Sequence, residues 1–234
     1  MAWERADPVN RAPPTPLTRR KVVAAAIFIA DAEGLSAVTI RKVAAASNSA
    51  PMRLYSYFET KEELIELMVD EVFGEMLTKG PMSGDWRAVA RAVAYRIRAA
   101  WLQHRWFIDA LGGRPPIGPN ALRFMEDLHA GLARDQAFAR IDLAMQAVAT
   151  LVAFVTGALR MEGAELAVEA SNAEWQERNW PYLQRQIATG QFPMMEEIVS
   201  KARHSAPDKV FGEGLEIVLN GLSALLEYPP ADQA

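Results

Sequence analysis

The chain has 234 residues, half of them apolar, which suffices for one large helical domain or for a small domain joined to a larger one. It contains no cysteine, which excludes a disulfide scaffold and thiolate metal sites and suits a cytoplasmic protein. The net charge of −4 is unevenly distributed: residues 17–61 carry seven Lys or Arg against three Asp or Glu, whereas residues 62–234 carry a net −8. A basic module on an acidic body is expected when only one end of a protein contacts phosphates.

Residues 1–16 contain four prolines and lack the apolar core of a signal peptide, so we expect a mobile arm. Apolar residues then recur at three and four positions rather than two, which predicts an all-α protein. We expect a helix-turn-helix domain at residues 17–62 and a larger helical domain for ligand binding and dimerisation at residues 63–234. The uncharged stretch 143–159 is short for a membrane span, so we expect a buried helix and no membrane partner.

Three short helices are predicted in the basic module. The first covers Thr18–Glu33, with Thr18 as its N-cap, and the second covers Thr39–Ala46. A polar turn follows, in which Asn48 can take the left-handed conformation that a tight corner needs. The third helix begins at Ala50-Pro51, where proline is favoured, and should end near Phe58.

A tight turn between the second and third helices indicates a helix-turn-helix, whose third helix reads base edges in the major groove. Arg53 is the candidate for reading a guanine, because guanine offers the O6 and N7 acceptors. Ser56 and Tyr57 can donate to phosphates, whereas Tyr55 is either a phosphate contact or a core aromatic. The predicted DNA-facing residues are Thr39, Arg41, Pro51, Met52, Arg53, Tyr55, Ser56, Tyr57 and Lys61.

The sequence T-I-R-K-V-A at 39–44, followed by L-Y-S-Y-F-E-T-K-E-E-L at 54–64, resembles the tetracycline-repressor (TetR) family. The resemblance implies a homodimer on one palindromic operator, a helical C-terminal domain that binds a small-molecule inducer, and the DNA-facing positions just given. The family's usual Leu-Gly-Val-Ser turn is Ser47-Asn48-Ser49-Ala50 here. Either Ser49 caps the third helix or the turn is looser than usual.

Thr60-Lys61-Glu62-Glu63 is a capping box, and it should open a fourth helix that runs to about Leu77. This helix would join the DNA-reading unit to the body of the protein. Further helices are predicted at about 85–104, 106–111, 119–133, 141–166, 173–187, 194–201 and 209–227.

The body resembles the tetracycline-repressor subgroup at residues 85–87, 111–115 and 211–215. That subgroup binds magnesium-chelated tetracycline through a histidine just before a Gly-x-Arg-Pro segment, and this chain has Ala110 there. Its three histidines have no shared metal spacing, so we expect neither a metal nor another cofactor.

Aromatic and Met side chains on consecutive helices of the body predict a hydrophobic or aromatic ligand instead. Arg114 or His104 would supply a polar contact to an anionic group. For each of these residues, an ordinary place in the core is the alternative. The predicted ligand-binding residues are Trp101, His104, Phe107, Arg114, Phe124, Met125, Met145 and Phe154.

Two apolar helices predict the dimer interface. Residues 143–162 carry a small-residue stripe at every fourth position, and residues 215–226 are rich in Leu. Packing of both helices within one chain is the alternative. The predicted interface residues are Ala149, Ala153, Gly157, Leu215, Val218, Leu219, Leu222 and Leu226.

No Gly-rich phosphate loop, paired-carboxylate spacing or Cys/His pair is present, so we do not expect an enzyme. The sequence favours a repressor whose ligand moves the fourth helix and thereby changes the separation of two reading heads, which must lie about 34–36 Å apart. A helical protein-interaction module with weakened DNA binding is the alternative, and the polar turn at Ser47–Ala50 is its only support.

Overall fold

The computed structural model describes Trp3 and residues 17–111, 115–169, 172–202 and 205–227. All regular elements in these residues are helical, which confirms the predicted all-α class. The α-helices are α1 (Arg19–Glu33), α2 (Ile40–Ala46), α3 (Pro51–Leu54), α4 (Lys61–Leu77), α5 (Trp86–Gln103), α6 (Phe107–Ala110), α7 (Pro119–Leu132), α8 (Ile141–Glu169), α9 (Asn172–Ile187), α10 (Pro193–Lys201) and α11 (Pro207–Glu227).

The caps of α1 and α2 form as the sequence predicts. The hydroxyls of Thr18 and Thr39 each accept a hydrogen bond, at 3.3 Å, from the amide three residues later. Gly34 ends α1 at a φ of 84°, where a side chain would be strained. Asn48 turns the chain after α2 at a φ of 53°, and no other non-glycine residue among those described has a positive φ.

Helix α3 is shorter than predicted, because regular helical bonding stops at Leu54 and a turn carries the chain onward. Ala50 occupies its N-cap position and has no side-chain acceptor to offer the first turn. The Ser49 hydroxyl is buried and has no hydrogen-bond partner in the described part of the chain, so the alternative that Ser49 caps α3 is wrong. Its amide instead donates to the Ala44 carbonyl at 2.8 Å, which closes the corner.

Tyr57 lies in the core of the reading unit, with 1 % of its surface exposed, and its hydroxyl donates to the Leu17 carbonyl at 2.7 Å. The prediction that Tyr57 faces DNA is therefore wrong. The physical reason is the early end of α3: the turn after Leu54 carries Tyr57 and Phe58 inward together. Tyr55 remains on the surface, 44 % exposed.

Helix α4 belongs to both parts of the protein, since it packs against α1 of the reading unit and against α5, α6 and α7 of the body. Thr60 caps it by accepting from the Glu63 amide at 3.1 Å. The Glu63 carboxylate reaches back to the Glu59 amide at 2.8 Å, one residue earlier than in the usual capping box.

The body packs α5, α7, α8 and α11 around an apolar core. A buried guanidinium, Arg98 on α5, lies 3.1 Å from Glu162 on α8 and 3.3 Å from Asp208 on α11. It also lies over the Phe211 ring, 5.2 Å from its centroid. These contacts fix α8 and α11 on the same side of α5.

Helix α8 is less buried in a single chain than its composition predicts. The segment Ile141–Leu166 has the length and apolar character of a membrane span, yet only 28 % of its most apolar window is buried. One side packs on α5 and α11, and the other side is exposed, as at Met145 and Met161. The expectation of a fully buried helix is therefore wrong for one protomer.

We predict that Tyr57→Phe lowers the free energy of unfolding by about 1–2 kcal/mol, because it removes the buried hydrogen bond from the Tyr57 hydroxyl to the Leu17 carbonyl. Tyr55→Phe is the matched control and should leave stability unchanged, since Tyr55 is a surface residue that is 44 % exposed. Urea unfolding at one fixed protein concentration measures both changes. Equal effects of the two substitutions would contradict the assignment of Tyr57 to the core.

Candidate DNA interface and ligand cavity

The outer face of α2 and α3 is exposed and carries polar and basic side chains. Met52 is the most exposed of its large apolar residues, at 79 %, and Lys61 at the start of α4 is half-buried. The Ser56 hydroxyl donates to the Arg53 carbonyl at 2.7 Å, and the Ser56 hydroxyl oxygen can still accept a hydrogen bond. Of the predicted DNA-facing residues, the exposed ones are Thr39, Arg41, Pro51, Met52, Arg53, Tyr55 and Ser56.

The Ser47–Ala50 turn forms a compact corner despite its polar sequence. The Ser47 hydroxyl donates to the Val43 carbonyl at 2.6 Å, and Asn48 supplies the left-handed residue. Lys42 does not add to the exposed basic face as a lone cation, because it pairs with Glu33 at 2.6 Å. The corner thus places α3 beside α2 as a helix-turn-helix requires.

A cavity of about 520 Å³ lies in the body and is bounded by α4, α5, α6, α7 and α8. Its aromatic wall is built around Phe73, whose ring centroid lies 5.6 Å from that of Phe107 and 5.4 Å from that of Phe124. Four of the predicted ligand residues line this space, namely Phe107, Phe124, Met125 and Met145.

Much of the remaining cavity wall consists of residues that were not predicted from the sequence. Leu128 and His129 follow Phe124 and Met125 by one helical turn on α7, and Thr156 and Arg160 extend the α8 face beyond Val152. The spacing of four residues was the signal that could have found them. The further lining residues are Phe73, Val93, Ile97, Leu111, Pro115, Pro116, Leu128, His129, Val148, Ala149, Val152, Thr156 and Arg160.

The polar groups of this cavity are cationic or neutral. Arg160 donates to the Ile108 carbonyl at 3.2 Å, lies 4.0 Å from the exposed Asp109 carboxylate and keeps about half of its own side chain exposed, at 53 %. His129 and Thr156 are the other polar residues of the wall, and no carboxylate is among the described lining residues. The cavity therefore favours an apolar ligand with an acceptor or anionic group at one edge.

His104 does not line this cavity, and both of its ring nitrogens face carboxylates outside it. Nδ1 lies 2.8 Å from Asp31 on α1 and Nε2 lies 3.1 Å from Glu75 on α4. The indole nitrogen of Trp106 donates to the same Asp31 at 2.7 Å. The turn after α5 thus ties the reading unit to the body, which is a role that residue type alone did not indicate.

Two other ligand predictions are also wrong for this cavity. The guanidinium carbon of Arg105 lies over the Trp101 ring, 4.0 Å from its centroid. Trp101 lines a groove beside the C-terminal part of α8. Phe154 packs on Phe211 of α11, with 5.8 Å between ring centroids. Arg114 lies outside the described residues.

The predicted dimer residues divide between the two sides of their helices. On α8, Ala149 and Ala153 are exposed and Gly157 is half-buried, while Ala149 also reaches the cavity wall. On α11, Leu215, Leu219 and Leu222 are buried within their own chain, so their assignment to the interface is wrong.

The reason for this error is the rotation of α11, which turns the row of residues 211, 215, 219 and 222 toward α5 and α8. Its outward side carries Val210 and Ile217, which are 56 % and 73 % exposed. Val218 is half-buried, and the side chain of Leu226 lies outside the described residues.

Comparison with known proteins agrees with both parts of the chain. Residues 22–68 match the family model of bacterial regulatory proteins of the tetR family, and residues 80–226 match the tetracyclin repressor-like C-terminal domain. The HTH-type transcriptional repressor DrrR1 of Streptomyces coeruleorubidus is 32 % identical over 241 residues, covering 100 % of this chain and 87 % of its own length.

The fold is also that of solved structures. ActR of Streptomyces coelicolor, in complex with actinorhodin, superposes with a TM-score of 0.76 at 27 % identity, covering 92 % of this chain and 100 % of its own. The class A tetracycline repressor of transposon 1721 from Escherichia coli is 25 % identical over 89 % of this chain and 92 % of its own. The chain belongs to the tetracycline-repressor family of ligand-responsive transcriptional repressors.

Proposed function

We propose that this chain represses transcription as a homodimer on a palindromic operator and is released when an aromatic ligand with an acidic group occupies the 520 Å³ cavity. One observation carries the proposal: a single helix, α4, is part of both the reading unit and the cavity wall. The division into a DNA-binding domain at residues 17–62 and a ligand-binding and dimerisation domain at residues 63–234 belongs to the same proposal.

The DNA contacts are proposed from exposure and chemistry. Arg53 has its side chain exposed at the end of α3, where it can reach guanine acceptors in the major groove. Thr39 and Arg41 at the start of α2 and Lys61 at the start of α4 would contact the flanking phosphates. Tyr57 is buried and is not among the proposed DNA contacts.

The ligand class follows from the cavity wall together with a relative. Three aromatic rings and several Met and Pro side chains favour a flat apolar molecule, and Arg160 and His129 favour an acidic group on its edge. ActR of Streptomyces coelicolor has been solved with actinorhodin, so we choose that compound as the first probe for this chain.

A second copy of the chain would cover the apolar surface that one copy leaves exposed. Met145 and Met161 on α8 and Ile217 on α11 are 59 %, 68 % and 73 % exposed, and the small residues Ala149 and Ala153 lie between the two methionines. Burial of such a face stabilises a dimer by about 25 cal/mol per Å² of apolar surface. Dimerisation explains the apolar α8 without a membrane and fits a soluble, cytoplasmic, non-enzymatic regulator.

We predict that Arg53→Ala weakens operator binding by about 1–3 kcal/mol and relaxes the base preference at one position of each half-site. Arg123→Ala removes the same charge from the exposed side of α7 and should leave operator affinity unchanged. Anisotropy titrations with a duplex selected by the wild-type chain from a random pool measure both. Affinity that does not fall with rising salt would contradict the phosphate contacts.

We predict that Arg160→Ala lowers affinity for actinorhodin about tenfold, since it removes the cation at the edge of the cavity. Arg123→Ala is again the control, because it alters α7 on the side that faces away from the cavity. Isothermal titration calorimetry gives both dissociation constants. Unchanged affinity in the Arg160 variant would argue against an anionic ligand in this cavity.

We predict that Ala153→Glu converts the dimer to monomers, because it places a charge in the middle of the exposed α8 stripe. Ala130→Glu, on the exposed side of α7, should sediment as the wild type does. Sedimentation velocity at micromolar concentration distinguishes the two species. A stable dimer of the Ala153→Glu protein would place the interface elsewhere.

A further inference from the structure

A buried carboxylate joins the middle of α4 to the first turn of α7. Asp70 is 8 % exposed, and its Oδ1 accepts from the Asn120 amide at 3.0 Å and from the Ala121 amide at 2.9 Å. Its Oδ2 accepts from the Asn120 side-chain amide at 3.1 Å, and the same Nδ2 lies 3.2 Å from the Asp70 carbonyl. We call Asp70, Gly118, Asn120 and Ala121 the Asp70 clasp.

Two glycines make this close approach possible. A Cβ atom at Gly118 would overlap Oδ1, Cγ and Cβ of Asp70, so that the Asp70 side chain or one of the two helices would have to shift. Gly118 has an ordinary φ of −65°, so glycine is needed here for space and not for backbone conformation. On the α4 side, a Cβ at Gly74 would lie 3.0 Å from Asn120 Nδ2. The sequence is adapted on both helices to bring them together at this point.

Ionisation of this buried carboxylate does not add to folding stability. Burial raises the pKa of Asp70 above its ordinary value of 3.8, and the amide donors of Ala121 and Asn120 offset only part of that rise. A raised pKa in an acid means that its favourable contribution to stability is present below pH 3.8 and is lost as the pH rises through the raised pKa. Ionisation of Asp70 as the pH rises therefore lowers the free energy of unfolding relative to the protonated form.

The clasp lies between the cavity and the reading unit. Pro115 and Pro116 line the cavity just before Gly118, and Phe124 lines it one turn into α7. On the other side, α4 continues from Asp70 back to its cap at Thr60, beside the helix-turn-helix. The Asp70 clasp joins the start of α7 to α4 by direct hydrogen bonds, which reach both the carboxylate and the backbone carbonyl of Asp70.

We propose that the Asp70 clasp transmits ligand occupancy to the DNA-reading unit, by making α4 follow the N-terminal turn of α7 when the cavity fills. Asp70 is thus a positioning residue that contacts neither DNA nor ligand. The inference rests on the proposed ligand-responsive function and specifies the residues that couple its two sites. Loss of the clasp should leave both sites able to bind and remove the dependence of one on the other.

The first test needs no ligand. Gly118→Ala inserts a methyl group against the Asp70 carboxylate and should force α4 and α7 apart, so that affinity for a selected duplex falls about tenfold without ligand. Adding Asp70→Ala removes the two nearest of the three Asp70 atoms that the methyl group strikes and leaves the Cβ at 2.8 Å, so affinity should return to within about threefold of the wild type rather than fully. Circular dichroism melting confirms that each variant is folded. Wild-type affinity in Gly118→Ala, or no recovery in the double variant, would overturn the proposal.

The second test measures coupling with actinorhodin. In Asp70→Ala the ratio of operator dissociation constants with and without actinorhodin should fall from about tenfold or more to below about threefold, while each single affinity changes little. Asp85→Ala is the matched control, since Asp85 caps α5 by accepting from the Ala88 amide at 2.8 Å and joins no second helix. It should keep the full ratio.

The two tests separate the clasp from the function it serves. A full ratio in Asp70→Ala, or an equal loss in Asp85→Ala, would overturn the clasp while the repressor function stands. A wild-type protein that binds the duplex but ignores actinorhodin would overturn the proposed ligand class, and the Gly118 test would still decide on the clasp. Failure to select any duplex would overturn both.

Discussion

The continuity of α4 is the constraint on which the rest of the structure depends. Its 17 residues form one continuous element about 26 Å long that packs against α1 of the reading unit and contributes Phe73 to the cavity wall. No flexible linker separates the two parts, so a displacement at one end must be absorbed by packing or passed to the other. His104 adds a second tie by facing Asp31 on α1 and Glu75 on α4.

In the described part of a single copy, we distinguish three surfaces that can bind a partner, and each has a different chemistry. The outer face of α2 and α3 is basic and polar, which suits phosphates and base edges. The cavity is aromatic with a cationic edge at Arg160, which suits a flat acidic molecule. The exposed side of α8 is apolar and small, which suits another protein surface. The three surfaces differ in chemistry, and the cavity and the α8 face adjoin at Met145 and Ala149.

Local signals in the sequence predicted the helices closely, since caps such as Thr18 and Thr60 and the corner residue Asn48 act over a few residues. Which side of a helix faces inward depends on neighbours far along the chain. Tyr57 is buried because α3 ends early, and Leu215 is buried because α11 is rotated toward α5 and α8. Neither fact is encoded in local spacing.

The central claim is that filling the cavity repositions the two reading heads, and the absence of native cysteine allows this to be measured directly. Ser36→Cys allows one spin label to be attached to an exposed turn of each reading unit. Pulsed electron–electron double resonance then gives the distance between the two labels in the dimer. We predict one distance distribution in the free and operator-bound protein and a shifted mean with actinorhodin. An unchanged distribution under conditions in which actinorhodin releases the operator would contradict the account.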